Sequence, residues 1–295
     1  MTLDLMLIIG MPGKLKKDNM KNILVIGSTG MLGYAVSAFF KSKDYNVTEL
    51  SRNAFDIAND PLQKLEEYFT NLDVVINCAG VIKPMIEKNT FESILKVNAI
   101  FPRNLAKLSN KHSVKCFHIT TDCVYSGKKG KYTEADYFDA EDVYGLSKNA
   151  GENSECMVLR TSIIGEESGQ NRSLLEWAKS QAGKEVNGFT NHFWNGVTTV
   201  YLAEIIENIL KKELYKTGLF HIHSPNTVNK FELLQIFDSA YNLGLRINSI
   251  IAKDSVDRSM SSIYELTSKV CTKELQLQVK EMENFFCTTK LEIFN

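Results

Sequence analysis

ILVIGSTGMLG, residues 23–33, is the stretch that decides the fold of this chain. It begins with a short apolar run rich in β-branched residues, which is typical of a strand buried on both faces. Gly27, Gly30 and Gly33 follow, and apolar residues at helical spacing continue to Lys43. Glycines at this spacing permit a tight turn and a close approach of the backbone to a pyrophosphate, which the N–H groups at a helix start can bind. The stretch therefore predicts a strand, a dinucleotide-binding turn and a helix.

Strand-like and helix-like segments alternate from this turn to about residue 165. Such alternation predicts an α/β fold, a Rossmann-type doubly wound parallel sheet with helices on both faces. Ligands of such sheets bind outside the carboxyl ends of the strands, where the motifs with unusual chemistry fall. Further strands are predicted at 47–50, 73–80, 115–121 and 157–162, and helices at 60–71, 91–110 and 142–153.

The chain divides into three predicted regions. Residues 1–19 are expected to be a disordered N-terminal extension, with Met20 as the functional start, or else an ordinary flexible N-terminus. Residues 20–165 are predicted to form the nucleotide-binding core and to hold the catalytic residues. Residues 166–295 are predicted to form mainly a smaller α/β substrate lobe, with some segments returning to the core.

Composition excludes several classes of protein. The 295 residues carry 34 Lys and Arg against 35 Asp and Glu, a balance that argues against nucleic acid as the main partner. No apolar run reaches the ~20 residues that a membrane-spanning helix needs. The six cysteines show neither a CxxC pair nor metal-ligand spacing, so we expect reduced thiols, no metal site and a cytoplasmic protein.

Tyr144 and Lys148 are the sharpest chemical signal in the sequence. Positions i and i+4 of a helix share a face, so the phenol and the ammonium are expected to project together. A nearby cation lowers the pKa of a phenol and suits it to proton transfer. Thr121, at the end of a predicted strand, can place a hydroxyl beside the same carbonyl group.

Four motifs occur in a characteristic order: GSTGMLG (27–33), NCAG (77–80), TTDCVYSG (120–127) and DVYGLSKNAGE (142–152). In this order they resemble an extended short-chain dehydrogenase/reductase. More narrowly, the chain resembles the dTDP-4-dehydrorhamnose reductase family over about residues 21–286. Supporting matches are LRTS (159–162), GLFHI (218–222) and RSMSS (258–262).

The resemblance implies the roles of three catalytic residues. Tyr144 would donate a proton to the substrate carbonyl as hydride arrives from a nicotinamide. Lys148 would hold the nicotinamide ribose and tune the tyrosine. Thr121 would orient the carbonyl.

The resemblance also implies a cofactor site, and the end of the second strand suggests which cofactor. NAD sites usually place a carboxylate there, whereas this chain has Ser51 and Arg52, which suit a 2′-phosphate. We therefore favour NADP(H), with NAD(H) as the alternative. Besides Arg52, Tyr144 and Lys148, the implied cofactor residues are Gly27, Thr29, Gly30, Met31, Leu32, Gly33, Asp56, Ile57, Cys78, Ala79, Gly80 and Asn98.

The sequence departs from the family pattern around the expected sugar site. Relatives usually have an aromatic residue where this chain has Cys123, and often Trp where it has Ile163. The usual proline-rich stretch is replaced by DYFDAEDV at 136–143. Reductase chemistry is still expected, but the sugar is left open. The predicted substrate-binding residues are Thr121, Asp122, Cys123, Tyr144, Ile163, His192, Trp194, Asn195 and Arg258.

Three functions follow from these residues. The first is NADP(H)-dependent reduction of the 4-keto group of a nucleotide-activated 6-deoxy sugar, for cell-surface polysaccharide synthesis. The second is an epimerase–reductase of the GDP-fucose synthase type, with Cys123 and His192 exchanging protons. The third is a non-catalytic NADP-binding subunit that resembles the regulatory subunit of methionine adenosyltransferase. A nucleotide sugar is the expected small-molecule partner, and a homodimer is a candidate assembly.

Overall fold

The computed structural model describes residues 22–167 and 173–293, with side chains as far as residue 289. The predicted extension at 1–19 and the predicted start at Met20 lie outside the described residues. The strands are β1 (Asn22–Ile26), β2 (Asn46–Leu50), β3 (Val74–Asn77), β4 (Lys115–Thr121), β5 (Met157–Thr161), β6 (Ile163–Ile164), β7 (Glu185–Phe189), β8 (His192–Trp194), β9 (Val197–Thr198), β10 (Gly218–His221), β11 (Val228–Asn229), β12 (Arg246–Ile250) and β13 (Val256–Asp257). The α-helices are α1 (Met31–Lys41), α2 (Phe91–Leu95), α3 (Phe101–Lys111), α4 (Val143–Gly151), α5 (Leu174–Ser180), α6 (Thr199–Lys211), α7 (Lys230–Tyr241), α8 (Glu265–Val270) and α9 (Leu275–Ile293).

A six-stranded parallel sheet is the centre of the molecule. Its strand order is β10-β5-β4-β3-β1-β2, and every neighbouring pair is parallel. From β1 the chain runs first to β2 on one side and then to β3 on the other, so the winding reverses between β1 and β3. The carboxyl ends at such a reversal form the crevice where these sheets bind ligands. The predicted fold class, a doubly wound Rossmann-type sheet with a smaller second lobe, is confirmed.

Both faces of the sheet are covered, which explains why β1 and β3 are apolar almost throughout. On one face, residues such as Val25 and Phe117 pack in a large core with α1, α6 and α9. On the other face, Leu24 and Cys116 pack against α3 in a second core. The sheet is therefore rigid where its strands end, and that rigidity fixes the positions of the residues that follow each strand.

Two predicted helices differ in type from the expectation. Residues 60–71 are predicted to form a helix, and the structure has a 3₁₀-helix at Leu62–Phe69 that buries Leu65 and Phe69. The single helix expected at 91–110 is instead α2, a π-helical segment at Lys96–Ile100, and α3. Apolar spacing predicts that a segment is helical, but it does not resolve a local change in hydrogen-bond period.

The second lobe is built largely from small sheets beside the carboxyl ends of the main strands. They are β11-β8-β13, β12-β7 and β6-β9. β10, which also comes from the C-terminal part of the chain, instead joins the main sheet beside β5. In the described part of the chain no helix has both the length and the apolar character needed to cross a bilayer.

Candidate active site

Two adjoining cavities, of about 210 and 500 Å3, lie at the carboxyl ends of the central strands. We call them together the cleft, and the ends of β1, β3 and β4 all reach it. The smaller cavity lies beside Asp56 and Ile57, and the larger one extends to Tyr144 and Ile163. The predicted residues that line one or both are Gly27, Thr29, Gly30, Met31, Leu32, Arg52, Asp56, Ile57, Cys78, Ala79, Gly80, Thr121, Asp122, Cys123, Tyr144, Lys148 and Ile163.

The glycine turn brings α1 directly onto the end of β1. A Cβ atom on Gly33 would lie 2.1 Å from the carbonyl oxygen of Gly27, so no larger residue fits there without a backbone shift. Gly33 therefore acts through this contact and does not itself line the cleft. Gly30 precedes α1 in extended conformation, and no side chain caps the helix. The start of α1 thus keeps backbone N–H groups available for an anion.

Arg52 lies at the rim of the cleft, after β2. Its side chain is 70% exposed, and its Nε atom lies 3.5 Å from Oδ2 of Asp56. Burial alone would raise the pKa of Asp56, but hydrogen bonds from Asn59 and the Ala58 N–H, together with Arg52, hold it below its usual value. Asp56 is thus an ionised carboxylate that keeps Arg52 at the rim, where a ligand phosphate can reach its other N–H groups.

Thr121 and Tyr144 lie together in the cleft. Thr121 ends β4, and its Oγ1 accepts a hydrogen bond from the Cys123 N–H at 3.1 Å and donates one to Oδ1 of Asp122 at 3.3 Å. The same side chain lies near enough to the Tyr144 phenol to lower its pKa. A Cβ atom on Gly145 would lie 2.5 Å from the Cys123 carbonyl oxygen. The glycine beside Tyr144 therefore permits α4 to approach the end of β4 closely enough for this contact.

The pKa of Tyr144 is raised, which corrects the expectation that Lys148 lowers it. Burial of the phenol is the main cause, and the neighbouring Cys123 adds to it, whereas Thr121 opposes it. Because the phenol keeps its proton at neutral pH, it is in the form that can donate one.

Lys148 lies deeper than Tyr144, on the same helix. Its side chain is buried, and Nζ donates a hydrogen bond of 2.9 Å to the Ile119 carbonyl oxygen. Burial lowers the pKa of Lys148 to about 8, although Glu152 and Cys78 act in the opposite direction. The ammonium is therefore close to its titration point in the physiological range.

Asn98 lies in the π-helical segment, behind the wall of the cleft. Its Nδ2 donates to the Val81 carbonyl oxygen and to Oγ of Ser147, both at 3.0 Å, and its Oδ1 accepts from the Val81 N–H at 2.8 Å. It was predicted to bind the cofactor. The structure instead places it where it joins the loop after β3 to α4, next to Lys148.

Polar groups below the cleft include two buried atoms without partners in the described structure. They are Nε2 of His118 and Oγ1 of Thr120, both on β4. The other ring nitrogen of His118 lies 3.1 Å from Nδ2 of the buried Asn77. Thr120 also lines the cleft, but its hydroxyl oxygen is itself buried.

His192 is not brought to the cleft. Its Nε2 lies 2.9 Å from the Asp254 carbonyl oxygen, and its ring packs against Phe189 with centroids 4.9 Å apart. Its expected partner Cys123 does line the cleft, but burial and the charge of Asp122 raise the pKa of that thiol to about 12. The predicted pair is therefore not assembled, and the thiol is a poor base.

Trp194 and Asn195 were expected to contact substrate, and the structure places both inside the second lobe. Each is at most 6% exposed. Asn195 accepts from the Met260 N–H and donates to the Met260 carbonyl oxygen, both at 2.8 Å. Its amide therefore joins two segments of the lobe, and its burial there keeps it away from the cleft.

Arg258 braces a loop next to the cleft. Its Nε donates to the Tyr125 carbonyl oxygen at 2.9 Å, and its Nη2 donates to the Ser126 carbonyl oxygen at 3.3 Å. It does not line either cavity, but its positive charge lowers the pKa of the nearby Asp122 and Cys123. Arg258 thus acts electrostatically on the part of the cleft that Asp122 and Cys123 line.

Several residues that line the cleft were missed from the sequence. Ser162 follows β5, so the rule that strand ends line the ligand crevice could have found it. Lys83 lies on the loop after β3, and its Nζ is 2.9 Å from Oδ2 of Asp142. Oδ1 of Asp142 accepts from the Gly145 N–H at the start of α4. Nothing in the local sequence indicates that Asp142 links Lys83, at the rim of the cleft, to the start of α4.

The fold and the cleft define an extended short-chain dehydrogenase/reductase: a dinucleotide-binding turn at a sheet reversal, with a Thr, a Tyr and a Lys at its far end. The family model described as the RmlD substrate binding domain matches residues 20–279. The chain belongs to this family.

Known proteins similar to this chain include reductases and a subunit of a methionine adenosyltransferase. A dTDP-4-dehydrorhamnose reductase of Aggregatibacter actinomycetemcomitans is 29% identical over 238 residues, which cover 75% of this chain and 80% of the relative. Methionine adenosyltransferase 2 subunit beta of Danio rerio is 25% identical over 250 residues, 76% of this chain and 75% of the relative. The structure of a dTDP-4-dehydrorhamnose reductase of Bacillus anthracis in complex with NADP superposes with a TM-score of 0.74 at 18% identity, covering 91% of this chain and 99% of that one.

Proposed function

We propose that this protein uses NADPH to reduce the 4-keto group of a nucleotide-activated 6-deoxy sugar. The observation that carries the proposal is the meeting of Thr121, Tyr144 and Lys148 in one cleft with the glycine turn. Reductases of this kind are among the relatives. We further propose that the reaction takes place in the cytoplasm and serves cell-surface polysaccharide synthesis. The homodimer and the absence of a nucleic-acid partner stay predictions.

The residues of the cleft fit a dinucleotide. The start of α1 offers uncapped N–H groups to a pyrophosphate, and Gly33 permits the close approach that this needs. Arg52 at the rim suits a 2′-phosphate, so NADPH is favoured over NADH. When bound, the cofactor would supply hydride to the substrate carbon.

The chain itself would supply the proton and the geometry. The Tyr144 phenol keeps its proton because burial raises its pKa, and it would give that proton to the carbonyl oxygen. Thr121, which lines the cleft with Tyr144, would orient the same oxygen. Lys148 would hold the ribose and leave a positive charge beside the phenol as the proton departs. Proton donation by a positioned group contributes roughly 10²–10⁴-fold to such a reaction.

The two alternative functions have less support. An epimerase–reductase needs a second proton carrier, but His192 lies elsewhere and the pKa of Cys123 is raised to about 12. A non-catalytic NADP-binding subunit has a relative in methionine adenosyltransferase 2 subunit beta. It would not need Thr121, Tyr144 and Lys148 to line one cleft, as they do here.

A turnover assay tests the proposal. The full-length protein is mixed with NADPH and a panel of nucleotide-activated 4-keto-6-deoxy sugars, and the absorbance of the reduced nicotinamide is followed. Loss of absorbance with one or more sugars is expected, and none with the matching sugars that carry a 4-hydroxyl. Tight NADPH binding without absorbance loss for any sugar would support the regulatory subunit instead.

A further inference from the structure

Lys83 connects one wall of the cleft to the helix that carries Tyr144. It begins a 3₁₀-helix, Lys83–Lys88, in the loop after β3, and it lines the larger cavity. Its Nζ lies 2.9 Å from Oδ2 of Asp142, the residue that precedes α4, although the two are 59 positions apart in the chain. The ion pair therefore joins the loop after β3 to the start of α4.

Asp142 uses its two carboxylate oxygens for two different contacts. Oδ1 accepts a hydrogen bond from the Gly145 N–H at 2.8 Å and so caps α4, while Oδ2 faces Lys83. Burial alone would raise the pKa of Asp142, but the hydrogen bonds from Lys83 and from the Gly145 N–H hold it below its usual value. The carboxylate is therefore ionised at neutral pH, where it makes a full ion pair with the ammonium of Lys83.

Tyr144 lies between two connections from the same loop to α4. The first is the pair of Lys83 with Asp142, before Tyr144. The second follows it: Asn98, which is hydrogen-bonded to this loop, donates to Oγ of Ser147, which itself donates to the Tyr144 carbonyl oxygen at 2.9 Å. Asn98 and Ser147 are buried, whereas the side chain of Lys83 is 58% exposed. Only the first connection can thus be removed without opening the core.

The first turn of α4 also packs closely against the segment after β4. A Cβ atom on Gly145 would lie 2.5 Å from the Cys123 carbonyl oxygen and 2.6 Å from Cβ of Ala140. This turn is therefore fixed by close packing toward the end of β4 and by Lys83 toward the loop after β3. The position of the phenol in the cleft depends on both contacts, because Tyr144 belongs to this turn.

We propose that Lys83 is a positioning residue for the proton donor. Its ion pair with Asp142 sets the position of the first turn of α4, and with it the alignment of the Tyr144 phenol with the substrate carbonyl. Misalignment of a reacting group slows the chemical step more than it weakens binding. The inference rests on the proposed function for the reaction itself, whereas the restraint on α4 is measurable without turnover.

Steady-state kinetics with NADPH and a sugar that the wild type reduces test the inference. Lys83→Met should lower kcat by roughly three- to fivefold, the upper part of what an exposed ion pair contributes, with both KM values within about twofold of wild type. Lys83→Arg, which keeps the charge, should restore most of kcat. Lys111→Met is the matched control, because it removes an ion pair with Glu66 of the same 2.9 Å length and similar exposure that does not line the cleft. It should behave as the wild type does.

Asp142→Asn separates the ion pair from the helix cap. Asparagine caps a helix about as well as aspartate does, so this change removes the charge that Lys83 faces and keeps the contact with the Gly145 N–H. It should lower kcat as much as Lys83→Met does. The double variant should show no further loss, as expected of two residues that act only through each other. Additive losses would mean that the two residues act separately, and would overturn the inference.

Hydrogen exchange decides the case if the wild type reduces no sugar. With NADPH bound, the peptide that spans α4 should exchange a few-fold faster in Lys83→Met than in the wild type or in Lys111→Met. Faster exchange in a protein that reduces no 4-keto sugar supports the restraint and overturns only the proposed reaction. Unchanged exchange there overturns the inference.

Where a sugar is reduced, unchanged kcat in Lys83→Met overturns the inference. So does a raised KM for the sugar with kcat kept, which would make Lys83 a substrate contact. NADPH affinity within about twofold of wild type shows that a variant is folded, and Lys83→Gln replaces Lys83→Met if that variant is not.

Discussion

The two ends of the cleft are built in different ways. At the end where we propose that the cofactor binds, the lining comes from consecutive runs of the chain, such as 29–32 and 78–80. At the substrate end, the surface comes from single side chains far apart in the chain, such as Lys83, Cys123 and Ile163. A backbone turn has one requirement, close approach, which many sequences meet in the same way. A surface of separate side chains can change one residue at a time, so the cofactor end defines the family and the substrate end defines the individual reaction.

The largest effect on turnover that we expect comes from a change at Tyr144, where the two ends of the cleft meet. Tyr144→Phe removes the donated proton but keeps the ring packed, so turnover should fall by roughly 10²–10⁴-fold. NADPH affinity should be largely kept, because the phenol belongs to the chemical step. Steady-state kinetics and NADPH titration check both statements, and near-normal turnover would mean that another group supplies the proton.

Arg52→Ala tests the cofactor end alone. Loss of a charge-assisted hydrogen bond to the 2′-phosphate should weaken NADPH by roughly 10- to 100-fold and leave NADH almost unchanged. Arg246→Ala removes an exposed arginine of the second lobe and serves as the control. Equal weakening of both cofactors would show that Arg52 does not contact the 2′-phosphate, and the preference for NADP(H) would then need another cause.

The lowered pKa of Lys148 predicts how activity depends on pH. Its pKa is lowered to about 8 by burial, so the ammonium is present below pH 8 and is lost above it. If the charge holds the ribose and supports the departing proton, kcat/KM should fall by about tenfold per pH unit above that point. Lys148→Arg should move the fall to higher pH, because a guanidinium stays charged. An unchanged alkaline limb in this variant would assign the fall to another group.

Cys123→Ser should have the smallest effect and sharpens the description of the substrate end. A thiol whose pKa is raised to about 12 is a poor base, so reduction should stay within a few-fold of wild type. Incubation with 4-keto sugar and NADP⁺ in D₂O, followed by mass spectrometry, should show no deuterium in the sugar ring. Deuterium incorporation by the wild type and not by the serine variant would establish epimerisation.

The sequence predicted the parts of the molecule that depend on neighbours in the chain. The parallel sheet, the glycine turn and the helix that pairs Tyr144 with Lys148 all follow from local spacing, and the fold class is confirmed. The raised pKa of Tyr144 could not be derived in this way, because it depends on burial by residues from other segments. Lys83 was missed for the same reason, since only the folded chain brings it into the cleft and beside Asp142.

The departures from expectation have the same origin. His192, Trp194 and Asn195 form a polar and aromatic cluster that is adjacent to a predicted helix, a pattern that indicates a ligand loop. In the folded chain these side chains contact Asp254, Lys230 and Met260. Partners between 36 and 65 positions away leave no local signal, so a sequence pattern cannot separate a ligand loop from a join between segments.

Asn98 connects the loop after β3, which forms one wall of the cleft, to α4, the helix that carries Tyr144 and Lys148. The side-chain amide of Asn98 accepts a hydrogen bond from the Val81 N–H and donates to the Val81 carbonyl oxygen. It also donates to the hydroxyl of Ser147, which precedes Lys148 in α4. Because Tyr144 lies on the same helix as Ser147, a displacement of this wall would move α4 without passing through the substrate. In an enzyme that takes up its reductant first, arrival of the dinucleotide would set the alignment of Tyr144 before any sugar enters.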